Sequence, residues 1–84
     1  MIGIGIIRRK HIVLRLDFTK AEHNDILEGA GFTKRQRDIY QRLRDDYPYE
    51  RQSVVQIADE MHLGTATVSR EIKRIQLKII RVIK

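Results

Sequence analysis

The chain has 84 residues, no cysteine, and 17 Lys and Arg against 11 Asp and Glu, for a net charge of +6 and an isoelectric point near 10.1. That length holds one small domain and leaves no room for a second, and the missing thiols exclude a disulfide framework and a thiolate metal site. The cationic excess sits at the two ends: residues 1–16 carry Arg8, Arg9, Lys10 and Arg15 with no acid, residues 65–84 carry six bases against Glu71 alone, and the stretch between has seven bases and ten acids.

Residues 1–16 form the first segment. Ile2, Ile4 and Ile6 alternate with Gly3 and Gly5, and Ile12, Leu14 and Leu16 alternate with Val13 and Arg15. This period of two predicts a short β-strand or a hairpin turning at Arg8 to His11. A lone two-stranded ribbon is marginal in water, so it is expected to pack on helices or, preferably, to pair with another chain. The apolar run Met1 to Ile7 is far shorter than the roughly 20 residues of a membrane span. Its basic cluster follows the run where a secretion signal places one ahead, so a soluble, cytoplasmic protein is expected.

Residues 17–84 read as one helical domain, because three capping boxes stand in series: Thr19 with Glu22, Thr33 with Gln36, and Ser53 with Gln56. In each, the hydroxyl accepts from the backbone three residues on while the longer side chain reaches back. The first helix is predicted over Lys20 to Glu28, stopped by Gly29 and Gly31. The second is predicted over Lys34 to Asp46, with Ile39, Tyr40, Leu43 and Tyr47 on one face and Pro48 closing it. The third runs from Val54 to Met61 or His62, and the fourth from Thr65 without a breaker, about 30 Å long. The fold class is mainly α: four helices with a short amino-terminal strand or hairpin.

The stretch Val55 to Lys73 meets the demands of a helix-turn-helix, which needs a small residue where its helices touch, a tight turn, and a second helix anchored by apolar points. Ala58 is the small residue. Ile57, Met61 and Leu63 supply core, and Val68 and Ile72 are the apolar points of the second helix. Thr65, Ala66, Thr67, Ser69, Arg70 and Lys73 are left facing outward.

The texts FTKRQRDIYQRL (Phe32 to Leu43) and VVQIADEMHLGTATVSREIKRI (Val54 to Ile75) resemble the bacterial and phage helix-turn-helix regulators. The likeness is to the tetrahelical kind seen in the fourth region of sigma factors, in LuxR-type output domains and in Trp-repressor-like proteins. It covers about half the chain, with the alanine, turn leucine and valine of the pattern falling on Ala58, Leu63 and Val68. The turn glycine of the pattern falls on His62, with Gly64 two residues on, which predicts a slightly reshaped turn. The resemblance implies a sequence-specific regulator of transcription that binds double-stranded DNA through a recognition helix over 65–75. Thr65, Ala66, Thr67 and Arg70 would approach base edges, Arg70 being able to take guanine O6 and N7 together. Lys34, Arg35, Gln52, Ser69, Lys73 and Arg74 would meet phosphates or flanking positions. Two other readings remain open: a sigma-like factor acting with RNA polymerase, and a phage adaptor or assembly protein whose helices bind protein.

Val68, Ile72, Ile75, Ile79 and Val82 are spaced four, three, four, three, which is heptad spacing. Leu77, Ile79, Ile80, Val82 and Ile83 exceed the needs of a small domain, so they either cover the amino-terminal ribbon or form the interface of a homodimer. A homodimer suits DNA reading, since two half-sites lie one helical turn apart.

The remaining polar residues point to no enzyme and no cofactor. His11, His23 and His62 stand apart from any ligand at metal spacing and read as surface residues. Asp45 with Asp46, and Asp59 with Glu60, are adjacent on helices and point apart, wrong for a carboxylate pair sharing a substrate. Gly3 to Gly5 lacks the third glycine and the lysine of a nucleotide loop. Tyr47 and Tyr49 read chiefly as core anchors.

Overall fold

The computed structural model describes residues 16, 18–46 and 48–83, the side chain of Ile83 excepted. It places α1 at Lys20–Gly29, α2 at Lys34–Leu43, α3 at Val54–Met61 and α4 at Thr65–Ile83, and the described residues contain no strand. The strand or hairpin expected within residues 1–16 lies outside the described residues except for Leu16. That residue is 3% exposed and packs in the hydrophobic core with the helices.

All three capping boxes close with both arms, which is why the first three helices begin where the sequence places them. Thr19 Oγ1 accepts from the Glu22 amide at 3.2 Å and Glu22 Oε1 from the Thr19 amide at 2.8 Å. The same reciprocal pair joins Thr33 to Gln36 and Ser53 to Gln56. Each cap contributes about 1 kcal/mol. The chain after α1 turns at Gly31, whose φ of 68° is natural for a residue without a Cβ.

Helix α2 ends three residues earlier than predicted. Arg44 leaves the helix in an extended conformation (φ −71°, ψ 145°). Its guanidinium then forks onto Asp46, Nε to Oδ1 at 3.0 Å and a terminal nitrogen to Oδ2 at 2.9 Å, and also reaches Gln41 Oε1 at 3.0 Å. Residues two apart do not face each other on a helix, so this fork requires the helix to stop. Arg44 is only 4% exposed, and a charge so enclosed needs such a partner. Asp46, expected on a solvated face, is half-buried in this pair. Tyr49, expected in the core, is on the surface with the Arg44 guanidinium 4.2 Å from its ring centroid.

Between α3 and α4, His62 adopts φ 57° and ψ 44°, the left-handed region. The amides of His62 and Leu63 turn back to carbonyls of the last α3 turn, Leu63 N–H to Ala58 O at 2.8 Å. Histidine takes the backbone conformation where glycine would sit at less cost, and α4 starts at Thr65 as expected.

Helix α4 packs on each of the other three helices. Val68, Ile75 and Ile79 are fully buried and Ile72 is 5% exposed, meeting Ile26, Phe32, Ile39, Tyr40, Leu43, Ile57 and Ala58. The heptad seam is thus spent inside the domain. Ile79, an interface candidate by sequence, is enclosed by its own chain and cannot touch a partner, and Val82 packs over Gly29. Of that candidate set, Leu77 (58%) and Ile80 (40%) are exposed, and the Ile83 side chain lies outside the described residues.

His23, expected on the surface, is fully buried on α1. Its Nδ1 lies 2.6 Å from the Tyr40 hydroxyl, with Phe18 edge-on to its ring. Burial and the Arg44 charge hold the imidazole below its usual value, against a smaller opposing pull from Asp46. Burial likewise pushes the Tyr40 hydroxyl well above the ordinary tyrosine range. At neutral pH both shifts favour the uncharged forms, so α1 is pinned to α2 by a hydrogen bond between neutral groups. Among the described residues no helix is long and apolar enough to cross a membrane.

Candidate nucleic-acid interface

The outward face of α4 follows from its 3.6-residue period. Val68 and Ile72 point into the core, so Ser69, Arg70 and Lys73 point away from it, while Glu71 flanks the buried stripe. Thr65, Ala66, Ser69, Arg70, Lys73 and Arg74 are exposed and Thr67 is half-buried. Arg70 and Lys73 are neighbours on the helix surface and have no ion pair or side-chain hydrogen bond among the described residues. From Thr65 to Lys73 the exposed row is about 12 Å long. Its chemistry is two hydroxyls and a methyl followed by a guanidinium and an ammonium.

Behind this row stands a carboxylate that holds the helix in place. Glu71 is 7% exposed, and its Oε1 accepts from Gln36 Nε2 at 3.0 Å. That hydrogen bond, with the charges of Arg74 and Arg35, keeps the Glu71 carboxyl below the ordinary glutamate value. Arg74 lies 3.6 Å from one of its oxygens and Arg35 lies 3.6 Å from the other. Gln36 is itself fixed on two sides, because its Oε1 accepts from the Thr33 amide at 3.2 Å and from Lys78 Nζ at 2.6 Å. Lys78 also donates to Gly31 O at 3.0 Å. The start of α2 is therefore laced to the middle of α4, and Arg35 and Arg74 meet across one carboxylate.

The other expected contacts divide. Lys34 is exposed beside Arg35 on the first turn of α2. Gln52 is half-buried at the opposite end of that helix, about 12 Å along its axis. Its Oε1 accepts from Arg42 at 3.3 Å and its Nε2 donates to Glu60 Oε1 at 3.2 Å, while Arg42 also pairs with Glu60 and, at 3.1 Å, with Asp38. Both ends of the Gln52 amide are occupied, so it braces α3 against α2. Residues 65–74 and the pair Lys34 and Arg35 are brought to neighbouring helices joined through Glu71, and Gln52 stands apart from them.

Sequence reasoning missed Gln36, Glu71, Lys78, Arg42 and Glu60. A usable signal existed for Glu71: it is the single acid in a basic stretch and lies three residues after Val68 and four before Ile75, the flank of a buried stripe. Gln36 was legible only as a capping residue. Among the described residues no group of three or more His, Asp and Glu is placed to hold a metal ion. Comparison of the chain with protein-family models, with curated proteins and with solved structures yields no match.

Proposed function

We propose that this chain is a sequence-specific regulator of transcription that binds double-stranded DNA, with α3 and α4 acting as a helix-turn-helix and residues 65–75 lying in the major groove. The observation that carries the reading is the division of one helix. Val68 and Ile72 fill the core while Arg70 and Lys73 stand exposed on the other side with no ion pair among the described residues. A helix so divided offers its cations to a groove without disturbing the fold.

In this reading Thr65, Ala66, Thr67 and Arg70 face base edges, Arg70 forking onto a guanine. Ser69, Lys73, Arg74, Lys34 and Arg35 meet phosphates, which fix the register and carry no sequence information. Glu71 lies between Arg35 and Arg74 and offsets the repulsion between their charges, so that both can serve one phosphate strand. Gln52 serves through the brace it forms with Arg42 and Glu60. A homodimer joined through Leu77 and Ile80 places two such helices on two half-sites.

A salt titration on duplex DNA tests the reading. About five phosphate contacts give a slope of log affinity against log salt of roughly −4 to −5. A protein-binding adaptor gives a flat line, and that result would end the proposal.

A further inference from the structure

Between the first turn of α2 and the end of α3 lies an open groove of 520 Å³, lined by Lys34, Arg35, Arg37, Asp38, Met61 and Leu63. Met61 and Leu63 are half-buried and form an apolar floor. Lys34, Arg35 and Arg37 form the rim. Asp38, the one acid there, is engaged by Arg42 at 3.1 Å, and Arg35 leans toward Glu71 at 3.6 Å. Lys34 and Arg37 are exposed and have no ion pair among the described residues. They stand three residues apart on α2, so their side chains are neighbours.

We propose that this groove docks an acidic segment of a protein partner that carries a large apolar side chain. The rim asks for carboxylates, because two uncompensated cations flank the floor, and the floor asks for a hydrocarbon group. A DNA backbone supplies the charge and lacks the apolar group. A small amphipathic acid supplies both, but a groove this open would leave most of it in water, whereas small-molecule sites enclose most of their ligand. A peptide segment covers the floor with one side chain and spans the rim with its neighbours. The inference is independent of the DNA reading, although Lys34 and Arg35 serve both. Leu63 precedes the start of α4 by two residues, so partner and duplex would sit side by side.

The test uses the full chain and a dye-labelled peptide alternating Asp and Glu around one Leu and one Phe, read by fluorescence anisotropy. Saturable binding is expected, weakened about tenfold when the Leu and Phe become Ser, since their burial supplies the apolar part. Arg37→Glu is expected to weaken the peptide by about tenfold, because a rim attraction becomes a repulsion. Arg37 is exposed and has no ion pair among the described residues, so the variant keeps its fold, which circular dichroism checks, and it stays outside the set assigned to DNA. The methyl resonances of Met61 and Leu63 are expected to shift on peptide addition. Absence of saturable binding overturns the proposal, as does equal binding of the Ser peptide, which reduces the contact to general charge attraction. If Arg37→Glu weakens a short duplex as much as it weakens the peptide, the groove belongs to the DNA face and the proposal falls. Peptide binding without any duplex affinity leaves this inference standing and removes the DNA reading.

Discussion

Gln36 on α2 donates its side-chain amide to Glu71 on α4 across 3.0 Å, joining the residue that caps one helix to the only acid of another. Replacing Glu71 by Ala leaves a buried donor unmet and should lower stability by about 1–3 kcal/mol. Glu71→Gln keeps an acceptor oxygen and should cost clearly less than the alanine variant. Urea denaturation of the two variants reads the difference, and equal losses would mean that the hydrogen bond is not what holds α4 to α2.

His23 predicts a dependence on pH. Its folded-state value is lowered from 6.5 by burial first and by Arg44 second. Below the unfolded value the unfolded chain takes up a proton that the folded chain refuses, so stability falls as pH drops from about 6.5 toward the folded value. Asp46, lowered from 3.8 by its hydrogen bond from Arg44, and Glu71, lowered from 4.5, add further losses as pH falls through their own range. His23→Phe should remove the first part of this slope and keep the second. Urea midpoints at pH 7 and pH 5 test it, and an unchanged slope in the variant would place the proton elsewhere.

His62 carries the cost of a left-handed backbone (φ 57°) at an exposed position. His62→Gly should raise stability by up to about 1 kcal/mol, less the greater freedom glycine gives the unfolded chain. His62→Val should lower it by more than that, since a branched Cβ is worst there. Thermal melts of both variants measure the order Gly, His, Val.

What the sequence made legible was whatever short-range chemistry decides. The starts of α1, α2 and α3 follow from hydroxyls three residues ahead of Glu or Gln. The outward row on α4 follows from the spacing of Val68 and Ile72. The end of α2 was not legible, because it depends on Arg44 turning back to Asp46, a pair that forms only when the helix has already stopped. The buried His23 was likewise hidden: its partner Tyr40 is 17 residues away, and nothing local distinguishes it from a solvated histidine. The lacing of Glu71 to Gln36, Arg35 and Arg74 joins two helices, so no window along the chain contains it. The heptad seam was legible as a pattern, and its destination, the core of the same chain, was decided by the packing of three other helices.

In the proposed homodimer the interface is formed by Leu77 and Ile80, which are exposed on α4 three residues apart. Sedimentation at micromolar concentration should give twice the mass of one chain, and a Leu77→Glu, Ile80→Glu double variant should give one. Binding to a two-half-site duplex should then fall by far more than binding to a single half-site. A monomeric wild-type chain would remove the two-fold arrangement and leave a single reading helix.

The most direct test begins with selection of bound sequences from a random duplex pool, followed by affinity measurements on the selected site and on a scrambled duplex. Arg70→Ala should weaken the selected site by an amount corresponding to about 1–3 kcal/mol while barely changing the scrambled one. Lys73→Ala should weaken both alike. Equal losses on the two duplexes for Arg70→Ala would contradict base reading by α4.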